Sequence, residues 1–208
     1  VTIKLNELNY LDTAKFYPDK TPYDKVAHYA VFGGSPFVNQ ALRPTATLRE
    51  NIVSTILNPV SAVYLYASQL LLSDYSVKIN AERIFAVIGN GKKRYSEIED
   101  KLDVKKTGNL AKQMKPLRDL EIISRNYPIN KLNDSKKSTF EINDNLLRFY
   151  FTFIYKNASA LQVLGAEAFY DEYVAPTLTD FISRRFEGIC RDYFSLQVRS
   201  GKLKGVRN

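Results

Sequence analysis

The sequence holds one cysteine, one histidine, one methionine and no tryptophan, and each scarcity removes a class of protein. A lone Cys190 cannot close an internal disulfide and is too few for a zinc site; it fits a reducing compartment, so a cytoplasmic location is expected. Its helical spacing from Phe186, Ile189 and Phe194 predicts a small buried hydrophobe. His28 has no second histidine or carboxylate cluster at ligand spacing, so no metal centre is expected. No apolar run reaches the ~18–20 residues that cross a bilayer; the longest, Ala62 to Leu72, is interrupted by Ser68 and Gln69. No membrane partner is expected. A phosphate loop of the form G-x-x-x-x-G-K-S/T is missing as well. Gly89-Asn90-Gly91-Lys92-Lys93 shares only glycine and lysine with it and follows a helical pattern where a strand should precede, so it reads as a turn. With no Ser-His-Asp set either, no catalytic residue is assigned. Val1-Thr2-Ile3-Lys4-Leu5 lacks an initiator methionine and the charged-then-apolar order of a signal peptide, as expected for the middle of a longer chain.

What is present is an ordinary globular composition, 45% apolar and 25% charged over 208 residues, with a net charge of +8. That length accommodates more than one core. The charge is unevenly placed. Residues 1–79 carry an excess of +1, residues 80–142 of +5 and residues 143–208 of +2. A concentrated positive excess favours an anionic partner.

Helical punctuation organises the first segment. Thr21-Pro22 opens a helix and Gly33-Gly34 closes it, predicting a helix from Pro22 to Phe32. Apolar segments follow at Phe37–Leu42, Leu48–Leu57 and Val63–Leu72, so residues 21–79 read as a small helical unit. The alternating Ile3–Leu8 predicts a strand with no partner in the next seventy residues.

From Asn80 the pattern becomes that of a winged helix-turn-helix, residues 80–142. Ile84, Phe85, Val87 and Ile88 mark a first helix. Ser96-Glu97-Ile98-Glu99 has capping-box form and starts a second, ending near Leu102. Thr107 caps a third, with Leu110, Met114, Leu117 and Leu120 on one face and Pro116 predicting a bend. Strands at Ile122–Tyr127 and Ser138–Ile142, joined by a polar basic segment, form a two-stranded wing. Asp144–Tyr155 predicts an aromatic helix, and residues 159–198 continue as helices. The fold class is mainly α.

The third helix, read this way, turns Lys105, Lys106, Asn109, Lys112 and Gln113 outward, and the wing adds Lys131, Lys136 and Lys137. Lysines suit phosphates, and Asn and Gln suit base edges in a major groove, so double-stranded DNA is the candidate partner. The same module also serves as a protein-docking unit on other chains, and that alternative stays open.

Several landmarks follow in order: Ala30-Val31-Phe32-Gly33-Gly34-Ser35-Pro36, Met114-Lys115-Pro116-Leu117-Arg118-Asp119-Leu120, Asp144-Asn145-Leu146-Leu147-Arg148-Phe149-Tyr150, and Phe186-Glu187-Gly188-Ile189-Cys190-Arg191. Together they resemble the C-terminal half of the archaeal-type ATPase family, in the STAND branch of AAA+ proteins. The resemblance implies that residues 1–20 hold the last strand and linker of an ATPase core, residues 21–79 a helical lid, and residues 143–208 the helical start of a nuclease-like domain. It implies a contact of Gly33, Gly34 and Pro36 with the adenine side of a nucleotide. ATP and magnesium belong to the intact protein and its ATPase core, with no cofactor in this stretch. Glu187 falls at the first acid of the nuclease-like fold, whose later acid pair and lysine have no counterpart before Asn208. The other reading of the same residues is a stand-alone winged-helix DNA-binding regulator. On the first reading the chain alone releases no phosphate from ATP, and turnover by a preparation freed of contaminating ATPases would refute it.

Overall fold

A computed structural model describes residues 7–73, 81–89, 91–103, 109–127 and 136–203. The strand expected at Ile3–Leu8 falls outside these residues except for Glu7 and Leu8, which are irregular. Thr107, Asn90 and the tip of the wing also lie outside them.

The fold is mainly helical. Helices α1 (Tyr10–Thr13), α2 (Pro22–Phe32), α3 (Pro36–Ala41), α4 (Leu48–Ser54) and α5 (Ala62–Ser73) make the N-terminal unit. The predicted bounds of α2 match, for the predicted reason: Thr21 Oγ1 accepts the Asp24 N–H at 3.1 Å, and Gly33 leaves the helix at φ 71°. Helix α4 is shorter than its apolar spacing implied. A Thr47/Glu50 capping box starts it, but it closes at Ser54, and Leu57 N–H reaches back to Ile52 O at 3.1 Å to bury Ile56 and Leu57 through a turn.

The second unit runs α6 (Ala81–Ile88), β1 (Lys93–Arg94), α7 (Tyr95–Leu102), α8 (Asn109–Asp119), β2 (Ile123–Asn126) and β3 (Thr139–Ile142). This is winged-helix order. Among the described residues the sheet has three strands, β1-β3-β2, all antiparallel, where two were expected. A two-residue strand such as β1 is too short to show alternation in sequence. Its register sets Lys93 opposite Phe140 and Arg94 opposite Thr139. Helix α7 is capped differently from the expectation: the Glu97 carboxylate takes the Arg94 N–H at 2.5 Å, so the helix begins at Tyr95.

Helix α8 runs through Pro116 and buries Leu110, Met114 and Leu117. Leu120, expected on the same face, is 53% exposed. The helix stops one residue earlier, because Glu121 enters the left-handed region at φ 58°. Glu121 N–H then bonds to Arg118 O at 2.8 Å and Ile122 N–H to Leu117 O at 2.9 Å, the paired bonds of a Schellman ending. Ile122 and Ile123 replace Leu120 in the core.

The aromatic segment is α only in α9 (Asn145–Phe149); Tyr150–Ile154 widens into π geometry and Tyr155–Asn157 tightens into a 3-10 turn. Then come α10 (Ala158–Phe169), a second π turn at Tyr170–Val174, and α11 (Ala175–Arg199) with Pro176 in its first turn. Among the described residues two apolar cores result. One joins α2–α5 to Leu146, Phe149, Phe153, Ile154 and the inward faces of α10 and α11. The other closes the winged helix over Leu147 and Phe151. The N-terminal helices and the C-terminal helices therefore share one core, and Arg49 on α4 also pairs with Glu167 at 2.6 Å and Asp171 at 3.1 Å.

Phe149 is fully buried, with ring centroids 4.7 Å from Phe153 and 5.7 Å from Phe181. Phe149→Ala is expected to cost about 3–5 kcal/mol in urea unfolding. Leu120→Ala, on a half-exposed side chain, should stay within about 0.5 kcal/mol of the parent.

Candidate functional site

Two places collect the residues singled out in the sequence. The first is the outer face of the winged helix. Lys112 and Lys115 are exposed on α8, Gln113 is half-buried, and Lys136 and Lys137 are exposed in the turn that leads into β3. Asn109 begins α8, while Lys105, Lys106 and Lys131 lie outside the described residues. Lys92, just before β1, turns the other way: its Nζ pairs with Glu187 on α11 at 3.3 Å.

Sequence reading missed two arginines on this unit. Arg118, in the last turn of α8, and Arg125, on β2, line a groove of about 270 Å³ together with Tyr95, Ala111, Met114 and Phe140. The guanidinium of Arg125 lies 5.0 Å from the Tyr127 ring centroid and 5.6 Å from that of Phe140, and its Nε donates to Ser138 Oγ at 2.8 Å. The spacing of Lys115 and Arg118, three residues apart on α8, was the available signal, since such residues share a helix face.

The second place is Gly33-Gly34. Both glycines are buried, and a Cβ on Gly34 would sit 1.9 Å from Leu8 O. Leu8 N–H donates to Gly34 O at 3.1 Å, and Gly34 N–H donates to the Glu7 carboxylate at 3.3 Å. Asn39 Nδ2 donates to Gly33 O at 3.0 Å and Ser35 O at 2.8 Å, fixing the turn. From the other side comes the start of α9. Asp144 caps it by accepting Leu147 N–H at 2.8 Å, and Asn145 Nδ2 donates to Tyr29 O at 2.7 Å. Pro36 is exposed, beside an equally exposed Phe37 whose ring lies 5.2 Å from that of Tyr66. Of the three residues expected to face a nucleotide, two are thus packed against the chain itself and one is open.

Electrostatics at this junction are unusual. Glu7 is exposed as a residue, but its carboxyl end tucks against the buried glycines, and burial followed by the nearby Asp144 raises its pKa to about 7. Burial raises Asp144 as well, opposed by the N–H groups it caps. Arg148, on α9, is lowered to about 10 by burial and then by Arg185. It binds Glu141 at 3.2 Å and donates to Ile142 O.

The remaining candidates are structural. His28 is buried; its Nδ1 is 2.7 Å from Asp24 O and its Nε2 3.3 Å from Asn51 Nδ2, which assigns the neutral Nδ1–H form, and burial lowers its pKa. Cys190 is half-buried, not fully buried as expected, and lines a cavity between α11 and Asn9–Leu11. Among the described residues no His, Cys, Asp or Glu cluster could hold a metal, and no helix is long and apolar enough to cross a membrane.

Residues 150–207 match a family model described as archaeal and bacterial proteins of unknown function (DUF234). Over 203 residues the chain is 23% identical to an uncharacterized protein of Methanocaldococcus jannaschii, a match covering 97% of this chain and 44% of that protein. The chain spans less than half the length of the curated relative it matches. No solved structure matches.

Two outcomes follow from the junction. Gly34→Ala should cost about 1–3 kcal/mol by forcing Leu8 away, with faster amide exchange at Leu8 as the local readout. Glu7 carries a raised folded pKa, so its favourable contribution is complete below pH 4.5 and lost as pH rises to about 7. Unfolding midpoints measured across that window should fall more steeply for the parent than for Glu7→Gln.

Proposed function

We propose that this chain is the regulatory half of a STAND-type AAA+ ATPase whose winged helix engages duplex DNA. The observation that carries the DNA reading is the exposed basic face made by Lys112 and Lys115 on α8 and by Lys136 and Lys137 on the wing. That unit's core, completed by Leu147 and Phe151, contains none of these lysines. Backbone phosphates are the chemistry such a face suits, with Gln113 and Asn109 as candidates for base edges. The match to a relative more than twice as long supports placement within a larger protein.

The relay role is supported by the glycine junction. Glu7 and Leu8, the end of α2 and the start of α9 meet at Gly33-Gly34, and α9 contributes to both cores. In this reading, ATP bound beside Pro36 by the intact protein shifts the chain at Glu7–Leu8, and α9 carries that shift to the winged helix. A shift of this kind requires different contacts in the two states.

Binding to a 20-base-pair duplex, followed by fluorescence anisotropy across a salt series, tests the DNA reading. Affinity should fall with salt along a straight log-log line. Replacing Lys112, Lys136 and Lys137 by alanine should reduce the slope by roughly 0.9 for each phosphate contact removed. An unchanged slope would instead favour a protein-docking winged helix.

A further inference from the structure

At the glycine junction the side chains of Glu7 and Asp144 are hydrogen-bonded to each other. Two ionised carboxylates offer no donor and repel, so this contact exists only while the pair holds a proton. The two acids are anchored differently. Asp144 is fixed: its Oδ1 takes the Leu147 N–H at 2.8 Å as the cap of α9, and the following Asn145 donates to Tyr29 O at 2.7 Å. Glu7 is an exposed residue with its carboxyl end turned in, where Oε2 takes the Gly34 N–H at 3.3 Å and lies 3.3 Å from the place of a Cβ on Gly33.

The charged groups around the pair do not relieve it. Among the described residues Tyr29 faces it from α2, Arg148 from α9 with Glu141 of β3 behind, and Arg185 from α11 with Asp192 further along that helix. Arg148 is bound to Glu141 and to Ile142 O. Arg185 hydrogen-bonds to Tyr29, and its pull on Glu7 is weaker than the push from Asp144. The Gly34 N–H also favours an ionised Glu7, and it too is outweighed by burial together with Asp144.

We propose that the proton shared by Glu7 and Asp144 is a clasp between the Glu7–Leu8 segment and α9. With the proton in place, Glu7 and Leu8 lie on Gly33-Gly34. When it passes to solvent, Glu7, the member with an open path to water, swings out; Leu8 then loosens from Gly34, while Asp144 stays as the cap of α9. Glu7 has a folded pKa raised above its ordinary value, so the clasp is closed at low pH and opens as pH rises through about 7. Ordinary carboxylates have finished titrating well below that range, so the response is local to this pair. The clasp stands on the geometry of the junction and is independent of the ATPase and DNA readings.

The experiment follows the backbone amides of Leu8 and Gly34 in the whole chain by NMR from about pH 5 to about pH 8, with hydrogen exchange corrected for its own base catalysis. Glu7→Gln and Asp144→Asn are measured beside the parent, after thermal melting has shown each variant folded. In the parent both signals should move with one midpoint at about 7, and Leu8 protection should fall roughly tenfold over the first pH unit above it. In Glu7→Gln both signals should stay in place. Asp144→Asn, whose amide still caps α9, should lower the midpoint by about a unit. If the two amides do not respond in the parent across that range, or respond equally in Glu7→Gln, the clasp is refuted. If Asp144→Asn keeps the parent's midpoint, burial alone holds the proton on Glu7 and the shared pair is refuted. Should Asp144→Asn fail to fold, the comparison of the parent with Glu7→Gln decides.

Discussion

Between Asn145 and Ile154 the chain changes from α to π geometry, and its side chains leave in two directions. Leu146, Phe149, Phe153 and Ile154 enter the core shared by the N-terminal and C-terminal helices, while Leu147 and Phe151 enter the winged helix. A π turn winds more residues per turn than an α turn. Residues two apart on a helical turn point in nearly opposite directions and residues four apart share a face, so Phe151 faces away from Phe149 and Phe153. Everything else in the molecule is arranged around this one two-faced segment. Neither core is complete without it.

The attachment is reinforced on its flanks. A Cβ on Gly89, at the end of α6, would lie 2.7 Å from Phe151 Cβ, so the absence of a side chain permits the approach, and Thr152 Oγ1 donates to Gly89 O at 2.8 Å. Arg148 reaches from α9 to Glu141 and Ile142 on β3. Lys92 reaches Glu187 on α11. These contacts fix the winged helix from behind and leave α8 facing outward. The same α9 is capped by Asp144 beside Glu7, and Asn145 packs on Gly33, so the segment on which both cores depend starts at the glycine junction. The junction is polar, with the Glu7 and Asp144 carboxyls both pushed up by burial, and such a contact is more easily altered than an apolar core.

Charge follows the same division. The buried Arg148 is paired with Glu141, and at the surface Arg49 pairs with Glu167 and Asp171. On α8 and the wing, lysines lie exposed and two arginines line a groove with no carboxylate among its described residues. The net charge of +8 therefore has a place and a direction. In the proposed function that face is where duplex DNA docks.

Much of this was legible in the sequence because it depends on neighbours in the chain. Thr21-Pro22 and Gly33 bounded α2 through capping chemistry that acts within four residues, and Leu110, Met114 and Leu117 showed the buried face of α8 through helical period alone. Lysines announced a basic wing. Tertiary structure decided the rest, through contacts between residues far apart in sequence. Strand β1 exists because β3 offers it an edge, and Leu120 is outside because Glu121 turns the chain toward Ile122 and Ile123. Gly34 is a glycine because Leu8 lies on it, a constraint no local pattern records. Arg118 and Arg125 become neighbours only when β2 folds back along α8. By itself the sequence determined the helices, their caps and the sign of the charge, since propensity and period are short-range; only packing decided which faces closed into cores, and hence which charges were left to meet a partner.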